Sequence, residues 1–426
     1  MNKRFLVPLY FAVAFILGSC SENDKNGEYT VSYLVAKRKE IPLTNEQKAF
    51  VKSNNDFAFN LFRKFNTTGE EKGNNVISPL GTTFLLGMMN AGAMNESSEE
   101  ITTALGFSGQ TAETVNDFCK TFMENAPKAD TGITLNFANL LVTNKNSVIA
   151  EDYQENIQEA YQAESFSMDF AEKNNLKFIN NWCHEKTQGC IPSILDELKP
   201  EAIAYLLNAI YFKGKWTYGF EEKNTQSEQF TQLSGKTKSV DMMYQKAEIL
   251  AYTDKVFNMI VLPFSAGAYT MSVLLPNNGF STYDIINKLS SNTWESILYS
   301  TYNTQGTANV EIKLPRFSTT TDFDMIPTLK QTGIHRIFDS SLSQLDKIGK
   351  DVYISLMKQK SYIEVNEKGA EMASVSVAGM SLSANAPVVG QQKNLKFFAD
   401  HPFVYIVSET STGTVFFIGT YQGKEQ

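Results

Sequence analysis

One stretch of the chain must be placed before any fold can be considered, because residues 372–392 carry no charged and no aromatic side chain. Small residues, serines and β-branched residues dominate this stretch, and Pro387 is its only proline. An uncharged segment with strand propensity pairs readily with an open sheet edge, so a soluble protein rarely exposes one. The fold must therefore account for how a soluble chain keeps such a segment.

The first part of the stretch has the period of a strand. Residues 370–386 contain no proline, and their side chains would alternate between two faces. A flexible linker would instead mix glycine, serine and proline with charged residues. One predicted face consists of Ala370, Met372, Ser374, Ser376 and Ala378, and the other of Glu371, Ala373, Val375, Val377 and Gly379.

Composition sets the size of the protein and excludes one class of partner. The chain has 426 residues, 42% hydrophobic and 20% charged, which is typical of one large globular domain or two medium ones. The net charge of −8 is spread without long acidic or basic blocks. Because nucleic-acid binding needs a basic surface, we expect no nucleic-acid partner.

The N-terminus predicts export and lipidation. A basic start precedes thirteen mostly apolar residues, 5–17, which are too few to span a bilayer and have the layout of a cleaved signal. The "LGSC" that ends at Cys20 resembles the lipobox of bacterial lipoproteins. We expect a lipoprotein signal peptide at residues 1–19, lipid on Cys20, and a polar tether and lead-in at residues 20–43. An ordinary secretory signal with a chance cysteine is the alternative.

The expected location is the outer membrane or the cell surface of a bacterium. The "SEND" at residues 21–24 partly resembles the acidic surface-export signal of some Gram-negative lipoproteins. A periplasm-facing orientation stays open. The only membrane contact that we expect is through the N-terminal lipid.

Cysteines and histidines indicate neither a disulfide framework nor a metal site. Cys119, Cys183 and Cys190 allow at most one disulfide. If the stretch between Cys183 and Cys190 is helical, the two lie roughly 10 Å apart, too far to bridge. The three histidines have no partner at metal-ligand spacing, so we expect buried thiols, no metal and no cofactor.

Helical patterns come first along the chain and β patterns later. Helices are predicted for residues 44–65, capped by the first of them, and for an apolar segment from near Pro79 to near Gly92. Further helices are predicted at "EDYQENIQEAYQAE", "NLKFINNWCHEKTQG" and "NKLSSNTWESILYS". From Ala202 onward β signals dominate, and strict alternation of strands with helices is absent. This order predicts an α+β fold in one large domain, residues 44–423.

Segments typical of one protein family recur along the chain in the family's order. The most specific is "NAIYFKGKWTYGFEEKNT", residues 208–225. The others are "NNVISPLGTTFLLGMMNAGA", "LPRFSTTTDFDM", "LKQTGIHRIFD", "IEVNEKGAEMAS", "DHPFVYIV" and "TVFFIGTY". Together they resemble the serpins over roughly residues 45–421. The resemblance implies helices packed around three β-sheets, with an exposed reactive-centre loop at about residues 367–393.

The resemblance implies an inhibitor of serine endopeptidases, not an enzyme. In serpins the target protease attacks the loop, forms an acyl-enzyme and is trapped when the cut loop inserts into a sheet. The sequence has no Gly-x-Ser-x-Gly elbow and no phosphate-binding loop, so we predict no catalytic residues. We expect a monomer whose protein partners are its target proteases.

The resemblance places a hinge at the start of the loop. Gly369 would supply backbone freedom, and the small Ala370 could enter a sheet without steric cost. In the family the residue at Glu367 pairs with a basic residue, here Arg316. From the sequence alone this could be a surface ion pair worth at most about 1 kcal/mol. The implied hinge comprises Glu367, Lys368, Gly369, Ala370, Glu371, Met372 and Ala373.

Five further positions resemble those at which the family's sheet opens. Trp216 resembles the tryptophan where insertion starts, although a tryptophan there could equally be a core residue. Buried polar side chains beneath the opening would hold the strands until insertion. The implied sheet-opening residues are Ser78, Asn208, Trp216, Arg316 and Gln359.

The family's usual interval from Glu367 places the scissile bond at Ser383–Ala384. Small residues there suit an elastase-like protease. Cleavage at Leu382 or Met380 would suit a chymotrypsin-like or subtilisin-like one. The uncharged run contains no lysine or arginine, which disfavours a trypsin-like target.

Three departures from the family pattern bear on function. Met372 stands on the inward face where alanine is favoured, and overpacking there would cost about 1–3 kcal/mol. Gln359 replaces a frequent histidine, and Gly81 replaces a frequent serine. The interval from Glu367 to Pro402 is longer than usual, so the cut could lie further along the loop.

Three functions follow as hypotheses. The first is an inhibitory, membrane-anchored serpin that protects a bacterial cell from proteases. The second is a non-inhibitory serpin that acts as a binding or chaperone-like surface lipoprotein. A bulky hinge would favour this alternative, and Met372 is the one such residue in a hinge of mostly small ones. The third is a lipoprotein that binds or hydrolyses glycans, which would need paired carboxylates and an aromatic platform that nothing in the sequence indicates.

Overall fold

The computed structural model describes residues 38–67, 73–370 and 394–423, and its elements follow the predicted order of helices before strands. The helices within these residues are α1 (Asn45–Thr67), α2 (Pro79–Gly92), α3 (Asn95–Leu105), α4 (Ala112–Asn125), α5 (Glu151–Tyr161), α6 (Lys173–Lys186), α7 (Thr282–Lys288), α8 (Ser291–Ser300) and α9 (Ile326–Gln331). The strands are β1 (Asn75–Ile77), β2 (Ile133–Asn144), β3 (Glu164–Met168), β4 (Ala204–Lys215), β5 (Gln226–Thr231), β6 (Thr237–Thr253), β7 (Phe257–Phe264), β8 (Tyr269–Pro276), β9 (Thr307–Pro315), β10 (Phe317–Asp324), β11 (Lys358–Val365), β12 (Gly369–Ala370), β13 (Asn394–Phe398), β14 (Phe403–Glu409) and β15 (Val415–Tyr421).

These strands form three hydrogen-bonded sheets. The large sheet has the order β1-β15-β14-β8-β7-β6-β9-β13, with β5 added beside β6. The four-stranded sheet has the order β12-β4-β2-β3, and β10 pairs with β11 in a two-stranded ribbon. Helices cover both the large sheet and the four-stranded sheet, so the fold is α+β in a single domain, as the sequence predicts.

Burial explains why the apolar residues of three strands form continuous runs instead of alternating with polar ones. Every residue of β8, β14 and β15 is buried. A strand buried on both faces gains from apolar side chains at every position, so it carries no alternation. The strand β10 alternates strictly between buried and exposed residues, because only one face of the ribbon meets the core.

Side-chain caps begin two helices, and the sequence predicts the one at Thr44. Thr44 and Gln47 exchange hydrogen bonds between side chain and backbone, a reciprocal cap at the start of α1. The hydroxyl of Ser78 accepts from the Gly81 amide, and Pro79 occupies the first turn of α2. All of α2 is buried, which places this helix at the centre of the molecule.

Two hydrophobic cores lie on opposite faces of the four-stranded sheet. The larger core contains Ile210 of β4, with Leu206 and Phe212 packed against it. The smaller core lies under α6 and includes Leu207 and Ala209 of the same strand. Even-numbered residues of β4 thus face the larger core, and odd-numbered residues face α6.

The described cysteines, Cys119, Cys183 and Cys190, are free thiols. Cys119 and Cys183 are buried thiols, and burial raises the pKa of each to about 12. Across the described ranges, no helix is long and apolar enough to cross a bilayer. The same residues contain no cluster of three potential His, Cys, Asp or Glu metal ligands.

Candidate functional site

The candidate site lies where β4 faces β11. These strands belong to different sheets, and their described residues share no ladder. Between them is a cleft, the sheet opening, lined by residues 210–212 of β4 and 362–364 of β11. Thr187 and Ile191, from the segment that follows α6, also line the cleft. The sheet opening is therefore the place where a further strand could join the four-stranded sheet to the ribbon.

The chain leaves β11 through a tight turn and re-enters a sheet at once. The Asn366 amide donates to the Gly369 carbonyl at 3.0 Å, and the Gly369 amide donates back to the Asn366 carbonyl at 3.2 Å. Gly369 and Ala370 then pair antiparallel with Lys215 and Gly214 of β4. The hinge turn, residues 366–369, thus directs the chain into the sheet opening.

Gly369 is required by two features of this turn. Its φ of 140° lies in a region that residues with side chains rarely adopt. A Cβ atom at Gly369 would lie 2.2 Å from the Gly214 carbonyl oxygen and 2.6 Å from the Lys215 Cα. Glycine is therefore needed at position 369 for a second reason besides backbone freedom, because two backbones approach closely there.

An ion pair between the half-exposed Arg316 and the buried Glu367 holds the hinge turn. Arg316, between β9 and β10, donates to the two carboxylate oxygens of Glu367 at 2.6 and 3.2 Å. The Thr225 hydroxyl donates to the same carboxylate at 2.5 Å. Only 4% of the Glu367 side chain is exposed, so this is not the surface ion pair that the sequence left open. Burial alone would raise the pKa of Glu367, but the hydrogen bonds from Arg316 and Thr225 outweigh it and lower the pKa.

Trp216 holds the backbone of the hinge turn through two hydrogen bonds. The Trp216 indole donates to the Asn366 carbonyl at 2.9 Å, and the Trp216 amide donates to the Lys368 carbonyl at 3.1 Å. The Trp216 ring stacks on Phe264, with centroids 4.5 Å apart and planes 13° apart. Trp216 is thus both a core residue and a direct support of the hinge turn.

Beneath the sheet opening, Gln359 holds β11 to α2. Its side-chain oxygen accepts from the Ser78 amide at 2.9 Å, and its nitrogen donates to the Ser78 carbonyl at 2.8 Å. The Ser78 hydroxyl donates to the Phe416 carbonyl of β15 at 2.8 Å. Gln359 and Ser78 therefore connect the ribbon to the centre of the large core.

Asn208, from β4, is held on the other side of the opening. Its amide donates to Asn139 of β2 at 2.8 Å. A Cβ atom at Gly81 would lie 2.5 Å from the Asn208 side-chain oxygen and 3.3 Å from the Gln359 nitrogen. The glycine thus makes room for both amides, and the two departures from the family pattern, Gly81 and Gln359, fit each other.

The structure brings the described predicted residues together around one cleft. The turn carries Glu367, Lys368 and Gly369, and Trp216 and Arg316 support it. Other predicted residues lie outside the described ranges: Cys20, Glu371, Met372, Ala373, Met380, Leu382, Ser383 and Ala384.

Sequence reasoning missed three contributors to the hinge. Thr225 supplies a hydroxyl to Glu367, Phe220 donates its amide to the Glu367 carbonyl at 2.9 Å, and Asn366 closes the turn. The sequence Asn-Glu-Lys-Gly could have indicated the turn, because asparagine and glycine favour such positions. Nothing in the sequence distinguishes Thr225 from other threonines.

Comparison with known proteins identifies the family. The family model described as "Serpin (serine protease inhibitor)" matches residues 52–422, nearly all of the chain. The protein is a serpin.

Individual serpins are similar to this chain over most of their length. Iripin-2 of Ixodes ricinus is 29% identical over 384 residues, which cover 88% of this chain and 93% of that one. The structure of the thermophilic serpin tengpin in its native state aligns with a TM-score of 0.79 and 25% identity, over 91% of this chain and 96% of that one. Thyroxine-binding globulin in complex with thyroxine shares the fold, with a TM-score of 0.77 and 23% identity over 88% of this chain and 99% of that one.

We predict that Glu367→Gln destabilises the folded chain by about 2 kcal/mol at pH 7, because charge-assisted hydrogen bonds to a buried carboxylate are lost. Since the pKa of Glu367 is lowered on folding, its stabilisation is present above the unfolded pKa of about 4.3 and disappears as pH falls through the folded value. Chemical denaturation from pH 7 to pH 3 should show the gap between variant and wild type closing.

Glu221→Gln is the matched control, because its partner Lys223 forms an exposed pair, with side chains 61% and 78% exposed. We expect that variant to change stability little at any pH. A Glu367→Gln gap that stays constant on acidification would contradict the role of the ionised carboxylate.

Proposed function

We propose that this serpin inhibits serine endopeptidases by the covalent loop-insertion mechanism. The observation that carries the proposal is the path of the chain after β11. The hinge turn sends Gly369 and Ala370 into antiparallel pairing with β4, at the mouth of the sheet opening. The first two residue pairs of an additional strand are therefore formed, and the segment that follows has the composition typical of a β-strand.

Continuation of this register supports the proposal. Gly369 pairs with Lys215 and Ala370 with Gly214, so an inserted strand in the same register would bring Met372 opposite Phe212. Ser374 and Ser376 would lie opposite Ile210 and Asn208 in the same register. The even-numbered residues of β4 face the larger core, which agrees with the set of residues that the family resemblance implies would turn inward. The serines on this face would meet the polar group at Asn208.

The chemistry requires nothing from this chain beyond a cleavable bond. The protease's serine oxygen attacks the carbonyl carbon of the scissile bond, the C–N bond breaks, and the leaving amine takes a proton from the protease's histidine. The carbonyl carbon then remains bound to the protease as an ester. Insertion of about 14 residues at roughly 3.3 Å each would carry that ester some 45 Å. Displacing catalytic groups by even about 1 Å would slow its hydrolysis strongly.

The loop sequence favours elastase-like, chymotrypsin-like or subtilisin-like targets. Small residues flank the bond Ser383–Ala384, and Leu382 and Met380 provide larger apolar alternatives. Residues 372–392 offer no lysine or arginine to a trypsin-like protease.

A non-inhibitory serpin is the second candidate, and one feature of this chain favours it. Met372 would lie inward in the inserted strand, where extra volume slows or prevents insertion. Thyroxine-binding globulin, whose structure contains thyroxine, shows that the same fold accompanies ligand binding. The two candidates differ in what happens after the loop is cut.

Incubation of the chain lacking residues 1–20 with elastase, chymotrypsin or subtilisin should give an SDS-resistant complex with at least one of them. Mass spectrometry of the released C-terminal fragment should place the cut between Met380 and Ala384. The same protease with its serine blocked is the control and should give no complex. Cleavage without complex, and without a rise in the melting temperature of the cut chain, would support the non-inhibitory alternative.

We predict that Met372→Ala raises the fraction of attacked chains that end as covalent complex. Relief of overpacking opposite Phe212 would lower the barrier to insertion by about 1–3 kcal/mol. The ratio of complex to cleaved product on a denaturing gel measures the effect. Met94→Ala, at a half-exposed methionine, is the control and should leave the ratio unchanged. Equal ratios in Met372→Ala and wild type would show that Met372 does not limit insertion.

We also propose that the protein is a lipoprotein held at a bacterial surface through Cys20. The basic start, the short apolar segment and the "LGSC" that ends at Cys20 support this. Within the predicted tether and lead-in, residues 20–43, Arg38 forms a β-bridge with Asp130 of the domain, and 18 residues, 20–37, precede this contact. A chain of that length spans at most about 60 Å, enough for a protease to reach the loop.

Expression in a Gram-negative host should place the protein in the detergent-soluble membrane fraction, and mass spectrometry should find acyl chains on Cys20. The Cys20→Ala variant should be released as a lipid-free protein. Protease added to intact cells would distinguish a surface orientation from a periplasmic one. Recovery of the wild-type chain without lipid would support the ordinary secretory signal instead.

A further inference from the structure

A short segment before α1 is docked on the domain. We call residues 38–43, which precede that helix, the docked lead-in. At its start, Arg38 forms an antiparallel β-bridge with Asp130. Further along, Ile41 is only 5% exposed and belongs to the larger core. The point at which residues 20–37 leave the domain is therefore fixed by contacts on the domain itself.

A buried acid holds the docked lead-in at a second place. The Ile41 amide donates to the Ser411 hydroxyl at 3.2 Å, and this hydroxyl donates to the Glu409 carboxylate at 2.9 Å. The Glu409 side chain is buried at the end of β14, so it orients the hydroxyl toward the lead-in from within the domain. The docked lead-in is therefore held by hydrogen bonds as well as by the burial of Ile41.

The docked lead-in lies at the end of the domain that carries the hinge turn, which we call the hinge end. Asp130, the bridge partner of Arg38, accepts from the Ser265 hydroxyl at 2.9 Å. The Ser265 amide donates to the Lys215 carbonyl at 2.8 Å, and the next residue, Trp216, holds the hinge turn. A short series of direct contacts thus connects the exit of the tether to the start of the reactive-centre loop.

The pairing of β2 with β4 measures how far the opposite end of the domain lies. The residue pairs run from Ile133–Gly214, at the hinge end, to Thr143–Ala204, at the other end. Ten steps along a strand, at roughly 3.3 Å each, separate the two ends by about 33 Å. Val148, shortly after β2, is 88% exposed and marks the opposite end of the domain.

Insertion of the loop would carry a trapped protease along this same direction. Ala370 pairs with Gly214, so an inserted strand in the same register would bring Met380 opposite Ala204. Ser383 would lie three residues beyond that pair. A protease linked to the loop would therefore start at the hinge end, beside the exit of the tether, and finish at the opposite end.

We propose that the docked lead-in turns the hinge end of the anchored domain toward the membrane. The loop is then presented to serine proteases that work at that membrane surface, and trapping carries them to the side that faces away from it. A flexible chain of 18 residues, the length of the tether, has a root-mean-square length of roughly 23 Å. This is less than the distance between the two ends, so the point of attachment decides which end lies nearer the lipid. The inference rests on the proposed inhibition and on the proposed lipid at Cys20.

The first test measures energy transfer from the domain to the membrane and needs no protease. The full lipidated chain is added to preformed vesicles of phosphatidylethanolamine and phosphatidylglycerol that carry an acceptor dye on their headgroups. A donor dye is attached through azidophenylalanine in place of either Lys223 or Val148, both of which are exposed. Lys223 lies at the hinge end, because its neighbour Glu222 pairs with Lys368 of the hinge turn.

We expect the donor at position 223 to transfer at least about twofold more strongly than the donor at position 148, because roughly 33 Å separates the two ends. Equal transfer from the two positions, or stronger transfer from position 148, would overturn the orientation.

A chain anchored at the opposite end is the matched control for the second test. In this variant Cys20→Ala removes the native lipid, and a lipid is attached instead through azidophenylalanine at position 148. Covalent complexes with a donor-labelled elastase-type protease are formed in detergent and then placed on the same vesicles. Transfer from the protease should be at least about twofold weaker with the native anchor than with the moved one, since insertion spans roughly 45 Å.

The outcomes separate this inference from the proposals on which it rests. Complexes that show equal transfer with both anchors would overturn the orientation while still supporting inhibition. Cleavage without complex would overturn the proposed inhibition, whereas the donors at positions 223 and 148 would still decide the orientation. Absence of lipid from Cys20 in cells would overturn the lipoprotein proposal and this inference together.

Discussion

The buried carboxylate of Glu367 is the contact on which the hinge depends. It receives hydrogen bonds from Arg316, which stands between β9 and β10, and from Thr225, which precedes β5. Its own backbone carbonyl accepts from Phe220. Four parts of the chain therefore meet at Glu367, and removal of Arg316 would leave its buried charge uncompensated. Because the turn is fixed in this way, everything after Gly369 starts from a defined point at the mouth of the sheet opening.

Below that point, the two edges of the opening are supported separately. Gln359 ties β11 to the first turn of α2, and Asn208 ties β4 to β2. Among the described residues, no side-chain hydrogen bond joins Asn208 to Gln359. Gly81 makes this arrangement possible, because a larger residue would displace both amides.

Local signals in the sequence predicted local structure well. The cap at Thr44 begins α1 and Pro79 stands at the start of α2 as expected, and the strand segments predicted after Ala202 are all present. The predicted late helix is instead two, α7 and α8, because Ser290 caps a new helix through Thr293. Sequence periodicity does not detect such a break, since both pieces present apolar residues to one core.

Some long-range contacts of the site were predicted only through the family resemblance, and others were not predicted at all. The pairing of Glu367 with Arg316 joins residues 51 positions apart, and Thr225 lies 142 positions from Glu367. The three sheets were expected, but their division was not. In the described chain the opening separates β10 and β11 from β4. The long strand β6 pairs with both β7 and β9 and so joins the two halves of the large sheet. Which strands share a ladder depends on tertiary contacts that neither propensity nor spacing encodes.

The energies involved indicate that this chain's departures act on rates and not on the final state. About ten added ladder hydrogen bonds, each worth roughly 1 kcal/mol net, would favour insertion by on the order of 10 kcal/mol. An inward Met372 costs about 1–3 kcal/mol, which cannot reverse that balance. The same amount added to the barrier, however, slows insertion by roughly five- to 150-fold. In the proposed mechanism hydrolysis of the acyl-enzyme would compete with insertion, so a barrier of this size would decide whether the protease is trapped or released.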